Sequence, residues 1–285
     1  KWDDIQELKK SIPGMGISVR ESFLLDEIQT AKESLSKKAE FLCKYCNLKQ
    51  NSSQAWLSTK IVNQMCGKHL ELDDFRSSYC VAGVDLSQTT DLTAALVIIE
   101  KTGELYIFAK FWLPAEKVDE AIARDGIPYN IYHQRGLLDY SGDNYIDYKD
   151  CYNWLKMLVE QYEILPLRVG YDRYSAQYLV QDLNTYGFKT DDVYQGDNLW
   201  GVLQVNYPVD GVIAARRVGG KVHIGDNDLL KMHLLNSAIK MNNERGRGRL
   251  IKLSPGLHID GTAAMSDAFC VRQKWYDTIG ERLRN

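Results

Sequence analysis

Three short segments each put an aspartate at the end of a predicted structural element. They are Val84-Asp85-Leu86, with Ser87 and Asp91 behind it; Gly170-Tyr171-Asp172-Arg173; and Ile259-Asp260-Gly261, with Asp267 beyond. The three lie far apart in the chain, but strand and helix ends are places where a fold can gather distant residues. Carboxylates gathered in this way repel unless positive charge offsets them. Oxygen-only donors suit hard cations such as Mg²⁺ or Mn²⁺. Two such ions clamping a phosphodiester is the chemistry of a nuclease.

Each aspartate also has an ordinary reading. Asp85 ends an apolar strand, where it could cap a turn; a buried charge that lacks its partner there costs roughly 3–5 kcal/mol. Asp172 repeats the arrangement after Leu167-Arg-Val-Gly-Tyr, and two strand-end aspartates in one sheet say more than one. Asp91 follows in a turn before the next strand, where Asp is commonly structural. Asp260 opens the last predicted helix and would serve as its N-cap. Asp267 lies seven residues further on, two turns along the same helix face, beside the small Ala264 and Ala268. Either Asp260 or Asp267 could supply the third carboxylate.

The elements that must position these residues follow from pattern. Tyr79–Leu86, Thr93–Glu100 and Glu104–Leu113 read as strands, with Lys101-Thr-Gly103 as a tight turn, and together they predict an antiparallel meander. Helix and strand then alternate. Tyr148–Leu165 reads as a helix closed by Pro166, Leu167–Asp172 as a strand, and Ser175–Tyr186 as a helix ended by Gly187. Asp192–Gln195 reads as a strand, Asn198–Val218 and Asp228–Asn242 as helices, Leu250–Leu253 as a strand and Asp260–Tyr276 as the final helix. This is a mixed α/β pattern. Residues 1–75 read as helical, with apolar positions at near-helical period from Phe23 to Leu42, and they carry no catalytic constellation.

Composition narrows the function classes. Hydrophobic residues make up 45% of the 285 and aromatics 11%, enough for a packed core. No apolar run reaches the ~18 residues of a membrane span. The net charge of −3 argues against a general nucleic-acid binder. Positive charge is local instead: Arg216 to Lys252 holds nine Lys/Arg against three acids, a net of +6. Within that stretch Asn242-Asn-Glu-Arg-Gly-Arg-Gly-Arg249 alternates Gly with Arg, which predicts a cationic hairpin tip. Arg245, Arg247, Arg249 and the following Lys252 suit phosphate contact without base readout. Arg173 could touch phosphate or pair with a surface acid. Of six cysteines only Cys43 and Cys46 form a CxxC pair, and without a second pair or spaced His that predicts reduced thiols rather than zinc. The chain begins at Lys1 and reads as a fragment of a longer or processed protein.

The motifs also resemble a known family. Ile12-Pro-Gly-Met-Gly-Ile-Ser-Val19, Phe41-Leu-Cys-Lys-Tyr-Cys-Asn47, Trp56-Leu57, Gly83-Val-Asp-Leu-Ser87, Asp91-Leu92-Thr93, Tyr171-Asp-Arg-Tyr174, Leu234-Leu-Asn236, Lys252 and Ile259-Asp-Gly261 with Ala264 occur in the order found in the large terminase subunit of tailed bacteriophages, in the branch with HK97-type capsids. The chain resembles its C-terminal nuclease half. The resemblance implies an RNase H-like fold and a two-ion Mg²⁺ or Mn²⁺ endonuclease site at Asp85, Asp172 and Asp260, with Asp267 as an accessory or alternative. Ser266-Asp267 departs from the apolar residues that relatives often carry there. Residues 76–285 would be the nuclease domain and 1–75 a helical linker to an ATPase domain of the same polypeptide. No GxxxxGK[ST] occurs in the chain, so it is expected to cleave DNA without hydrolysing ATP. Double-stranded DNA, a small terminase subunit and a portal ring are the implied partners, and the cytoplasm of an infected bacterium the implied location, with no membrane role. Two rivals come from other classes. Gly83-Val-Asp-Leu-Ser-Gln-Thr-Thr90 resembles the first phosphate loop of an actin-like or sugar-kinase-like ATPase, but no second phosphate loop or adenosine-binding Gly pair follows. A non-catalytic module docking on DNA or a portal ring would leave three element-end aspartates unexplained.

Overall fold

The computed structural model describes residues 3–12, 14–16, 18–33, 41, 44–46, 55–87, 92–173, 177–213, 220–242 and 246–284. It divides into two compact units, Lys1–Ala55 and Trp56–Asn285. In the smaller unit Asp4 caps helix α1 (Ile5–Ser11) by accepting from Gln6 N–H. Helix α2 (Glu21–Glu33) follows, and Leu8, Leu24, Ile28 and Phe41 form the unit's own core. Cys43 of the CxxC pair lies outside the described residues.

The larger unit opens with helix α3 (Thr59–Met65), whose Ile61, Val62 and Met65 are buried in its main core. Trp56–Phe75 thus belongs with the residues that follow it rather than with the N-terminal helices. Strands β1 (Tyr79–Asp85), β2 (Thr93–Lys101) and β3 (Glu104–Pro114) make the antiparallel meander. Next come α4 (Val118–Asp125), α5 (Tyr129–Gln134) and β4 (Leu138–Ser141), and then α6 (Tyr148–Tyr162), β5 (Leu165–Asp172), α7 (Gln177–Tyr186) and β6 (Thr190–Val193). A short 3₁₀ turn, Asp197–Leu199, leads to α8 (Trp200–Val205), β7 (Pro208–Val209), β8 (Val212–Ile213) and β9 (Gly220–His223). The chain finishes with α9 (Asp228–Leu235), β10 (Ser237–Asn242), β11 (Arg247–Lys252) and the 25-residue α10 (Asp260–Arg284).

The main sheet runs β6-β5-β1-β2-β3-β9-β8-β7, with β4 paired to β3. β5 and β6 join β1 in parallel, so the sheet is mixed. Both faces are covered. Val81, Leu96 and Ile98 pack with Ala264, Met265 and Ala268 of α10. Cys80, Ala82, Val84 and Val97 pack on the other face with Leu155 and Leu158 of α6 and Leu179 of α7. Burial on two faces explains why β1 and β2 read as continuous apolar runs instead of alternating ones.

Two predicted helices are different in the structure. Among the described residues of Asn198–Val218, the α-helix covers only Trp200–Val205. Pro208 cannot continue a helix, and Asp210-Gly211, with φ of 51° and 78°, makes the two-residue turn joining β7 to β8. Asp228–Asn242 stops at Leu235, because Ser237–Asn242 pairs residue for residue with Arg247–Lys252.

Candidate metal centre

Parallel pairing sets two of the aspartates side by side. Gly83 stands opposite Gly170 and Val84 opposite Tyr171, so Asp85 and Asp172 follow at the same end of neighbouring strands. Side chains alternate faces along a strand. Gly83 therefore shares a face with Asp85, and Gly170 with Asp172. That face is the one α10 covers. A Cβ on Gly83 would fall on the Ala264 carbonyl, and one on Gly170 would lie 2.5 Å from the Asp267 carbonyl oxygen. The two glycines let the helix backbone rest directly on the strands, one step below the carboxylates.

That close approach delivers Asp267. Its side chain is wholly buried, and burial pushes its carboxyl well above the ordinary range. The Asp85 and Asp172 carboxylates push it further in the same direction. One hydrogen bond opposes them: Gln195 Nε2 donates to Asp267 Oδ2 at 3.0 Å. Asp267 Oδ1 is buried and has no hydrogen-bond partner. Beside Asp85, Ser87 N–H donates to Thr93 Oγ1 at 3.1 Å and the Thr93 hydroxyl donates back to the Ser87 carbonyl at 3.1 Å, closing the base of the β1–β2 loop. Asp91, within that loop, lies outside the described residues. Asp85 and Asp172 lie near enough to act on the charge of Asp267, although among the described residues no three His, Cys, Asp or Glu stand close enough to hold an ion as they are placed. Their chemistry nevertheless fits a hard divalent cation: all donors are carboxylate oxygens, and one buried oxygen lacks a partner.

A family model described as terminase large subunit, endonuclease domain, matches residues 3–274. The chain belongs to this family. It is 25% identical over 238 residues to the terminase large subunit of Enterobacteria phage HK97, a match covering 82% of this chain and 45% of that protein. It is 29% identical over 122 residues to protein YmfN of Escherichia coli strain K12, covering 41% of this chain and 27% of that protein. The chain therefore spans less than half the length of these relatives. The crystal structure of the HK97 bacteriophage large terminase superposes with a TM-score of 0.63 at 20% identity, over 95% of this chain and 55% of that one. The mixed, helix-flanked sheet of this terminase domain is accordingly RNase H-like.

Asp260 occupies a different environment. It lies two turns, about 10 Å, before Asp267 along α10. Its Oδ2 is 3.6 Å from His258 Nδ1 and 3.8 Å from His233 Nδ1, with no hydrogen bond of its own. Asp125 Oδ2 is 2.9 Å from His258 Nε2, and it also accepts from Tyr129 Oη at 2.9 Å and from Arg124 at 2.8 Å. Gly261 N–H donates to His233 Nδ1 at 2.9 Å. Burial pushes the Asp125 carboxyl up, but the hydrogen bonds from Arg124, His258 and Tyr129 outweigh it and leave the group below its ordinary range. The terminase domain thus has two buried acidic constellations along one helix.

The predicted phosphate contacts fall in two places. Arg247 and Arg249 are exposed on β11, with Arg249 opposite the exposed Lys240 and Arg247 opposite Asn242. The reverse face of this hairpin is apolar: a Cβ on Gly248 would meet Ile239, Met241 and Trp200. Lys252 closes β11 and is half-buried, while Arg245 lies outside the described residues. Arg173 pairs with Asp192, Nε to Oδ2 at 2.7 Å. Three features of the site went unread in the sequence. Gln195 sits in a polar run with no motif around it. Gly83 and Gly170 form a repeated Gly-x-Asp signal visible in both strands. The Asp125–His258 pair spans 133 residues, beyond the reach of any local pattern.

Proposed function

We propose that this chain is the metal-dependent DNA endonuclease part of a viral packaging terminase, cutting concatemeric double-stranded DNA. The observation that carries this reading is that Asp85 and Asp172, at the same end of neighbouring strands, act on the buried Asp267, whose Oδ1 is unpartnered. Asp85, Asp172 and Asp267 would hold a pair of Mg²⁺ or Mn²⁺ ions. When bound, such a pair supplies a Lewis-acid clamp for the attacking and leaving oxygens of a phosphodiester. The chain's own part is to fix three carboxylates on rigid elements: two adjacent strand ends and a helix seated on glycine. Ala264 and Ala268 against Gly83 keep water from behind the site. Asp260, which lies beside His258 and His233 at the start of α10, would have a structural role rather than bind metal.

Arg247, Arg249, Lys240 and Lys252 would hold the duplex backbone without reading bases, joined by Arg245 at the tip. Arg173, committed to Asp192, is the weakest of the proposed DNA contacts. The residues before the sheet would link the domain to an ATPase half of the same polypeptide. A small terminase subunit and a portal ring would be its packaging partners, in the cytoplasm of an infected cell. Among the described residues no helix is long and apolar enough to cross a membrane.

Nicking of supercoiled plasmid tests the reading. The chain is expected to nick or linearise it with Mn²⁺ or Mg²⁺ and to be silent in EDTA. Cleavage undiminished by the chelator would contradict it.

A further inference from the structure

We infer that Gln195 is a positioning residue for the metal centre: its carboxamide fixes Asp267 Oδ2 and so turns Oδ1 toward the ion. The inference rests on the reading of Asp267 as a metal ligand. A carboxylate on a buried helix face has two equivalent oxygens and a broad terminal torsion, so packing alone does not choose which oxygen faces the site. Gln195 Nε2 makes that choice by donating to Oδ2 at 3.0 Å, and Oδ1 is the oxygen left buried without a hydrogen bond. Outer partners of this kind orient ligating carboxylates.

The segment carrying Gln195 is itself held. It follows β6, the parallel neighbour of β5, and therefore sits at the same end of the sheet as Asp172. Leu199 N–H donates to the Gly196 carbonyl at 3.0 Å, starting the 3₁₀ turn. Asn242 Nδ2 donates to Asp197 Oδ2 at 3.2 Å, and Arg247 Nη1 donates to Asn198 Oδ1 at 3.0 Å. The next two residues after Gly196 are thus tied to the cationic hairpin, and Trp200 packs beneath Gly248. Gln195 reaches Asp267 from a segment braced by the hairpin proposed to grip DNA.

The test compares Gln195→Met, which keeps length and removes the donor, with Asp267→Asn in the 285-residue chain. Mn²⁺ binding is titrated by electron paramagnetic resonance, and plasmid cleavage is followed against Mn²⁺ concentration. Outer partners of ligands typically contribute 10–100-fold in affinity. Gln195→Met is therefore expected to bind Mn²⁺ on the order of tenfold more weakly. Its cleavage rate at saturating Mn²⁺ should approach the parent's, with the melting temperature little changed. A purely structural role would lower the melting temperature and leave the Mn²⁺ affinity of the folded chain alone. Should the methionine variant misfold, Gln195→Ala is read in the same way. Parent-like Mn²⁺ affinity in a folded Gln195 variant, with binding lost in Asp267→Asn, overturns the role of Gln195 and leaves Asp267 as a ligand. Undiminished Mn²⁺ binding in Asp267→Asn overturns both.

Discussion

Helix α10 carries two buried carboxylate sites that are chemical opposites. Near its N-terminus, Asp260 faces two histidines, and the adjoining Asp125 accepts from Arg124, His258 and Tyr129. Two turns on, Asp267 faces two more carboxylates and a single amide donor. Asp125, which ends α4 and is less deeply buried, is held below the ordinary carboxylate range, while the wholly buried Asp267 of α10 is pushed well above it. In the first site Asp125 is compensated by donors within the protein, although Asp260 Oδ2 is left without a hydrogen bond. The second gathers like charges, which favour a proton on Asp267 or, in the proposed reading, a bound cation. The sign of the neighbouring charges, together with depth, thus sets the direction in which each acid shifts.

The largest expected effect comes from removing a member of the second site. Asp85→Asn, Asp172→Asn and Asp267→Asn should each lower plasmid cleavage by on the order of 100-fold or more, since Lewis-acid stabilisation is worth several kcal/mol. The circular dichroism spectrum should stay that of the parent. Wild-type cleavage by any of the three would erase the distinction between the sites.

Breaking the first site should do the reverse. His258→Ala removes one of three hydrogen-bond partners of Asp125 from a pair whose side chains are both 3% exposed, and losing a hydrogen bond to a buried charged group costs about 1.5–3 kcal/mol. Urea unfolding should show that loss, while the Mn²⁺ affinity of the folded variant stays at the parental value. A stable variant with weakened Mn²⁺ binding would move the metal to the histidines.

Acid and alkali sharpen the same contrast in the metal-free chain. The folded state holds the Asp267 proton to a higher pH than the unfolded state does. Stability therefore falls as pH rises above the ordinary carboxylate range and through that raised value. Asp125 has the opposite sign: its contribution is present above the unfolded value and is lost as pH falls through its depressed folded value. In unfolding curves taken across pH, Asp267→Asn should flatten the upper limb and melt higher than the parent at neutral pH. Asp125→Asn should flatten the acid limb. Exchanged behaviour would mean the two roles have been assigned the wrong way round.

The smallest effect on chemistry belongs to the hairpin. Replacing Arg245, Arg247 and Arg249 with Ala should weaken binding about equally for unrelated DNA sequences. The slope of log affinity against log salt should flatten by roughly 2–3 units, at ~0.9 per phosphate contact. Mn²⁺ affinity should change little, because none of the three is a proposed ligand and Arg247 touches the Gln195 segment only at Asn198. An unchanged slope would route the DNA elsewhere.

The legible parts of this molecule were the local ones. The meander, the β5 strand and the final helix follow from apolar runs and turn residues, and the Gly-Arg repeat announced its hairpin. The helix expected over Asn198–Val218 failed because Pro208 and Asp210-Gly211 outweigh the apolar spacing around them. The strand at Ser237–Asn242 was hidden because its partner, Arg247–Lys252, lies across the tip and short apolar runs fit helix or strand alike. Asp85 and Asp172 were visible as strand ends. The approach of Asp267 to the strand ends could not be read from the sequence, because it depends on the depth at which α10 sits, which Gly83 and Gly170 allow from two other strands.

The most direct test is anomalous diffraction from crystals soaked in Mn²⁺. Peaks are expected about 2 Å from carboxylate oxygens of Asp85, Asp172 and Asp267, including Asp267 Oδ1, and none between Asp260 and His258. A peak at Asp260 with Asp267 unliganded would contradict it.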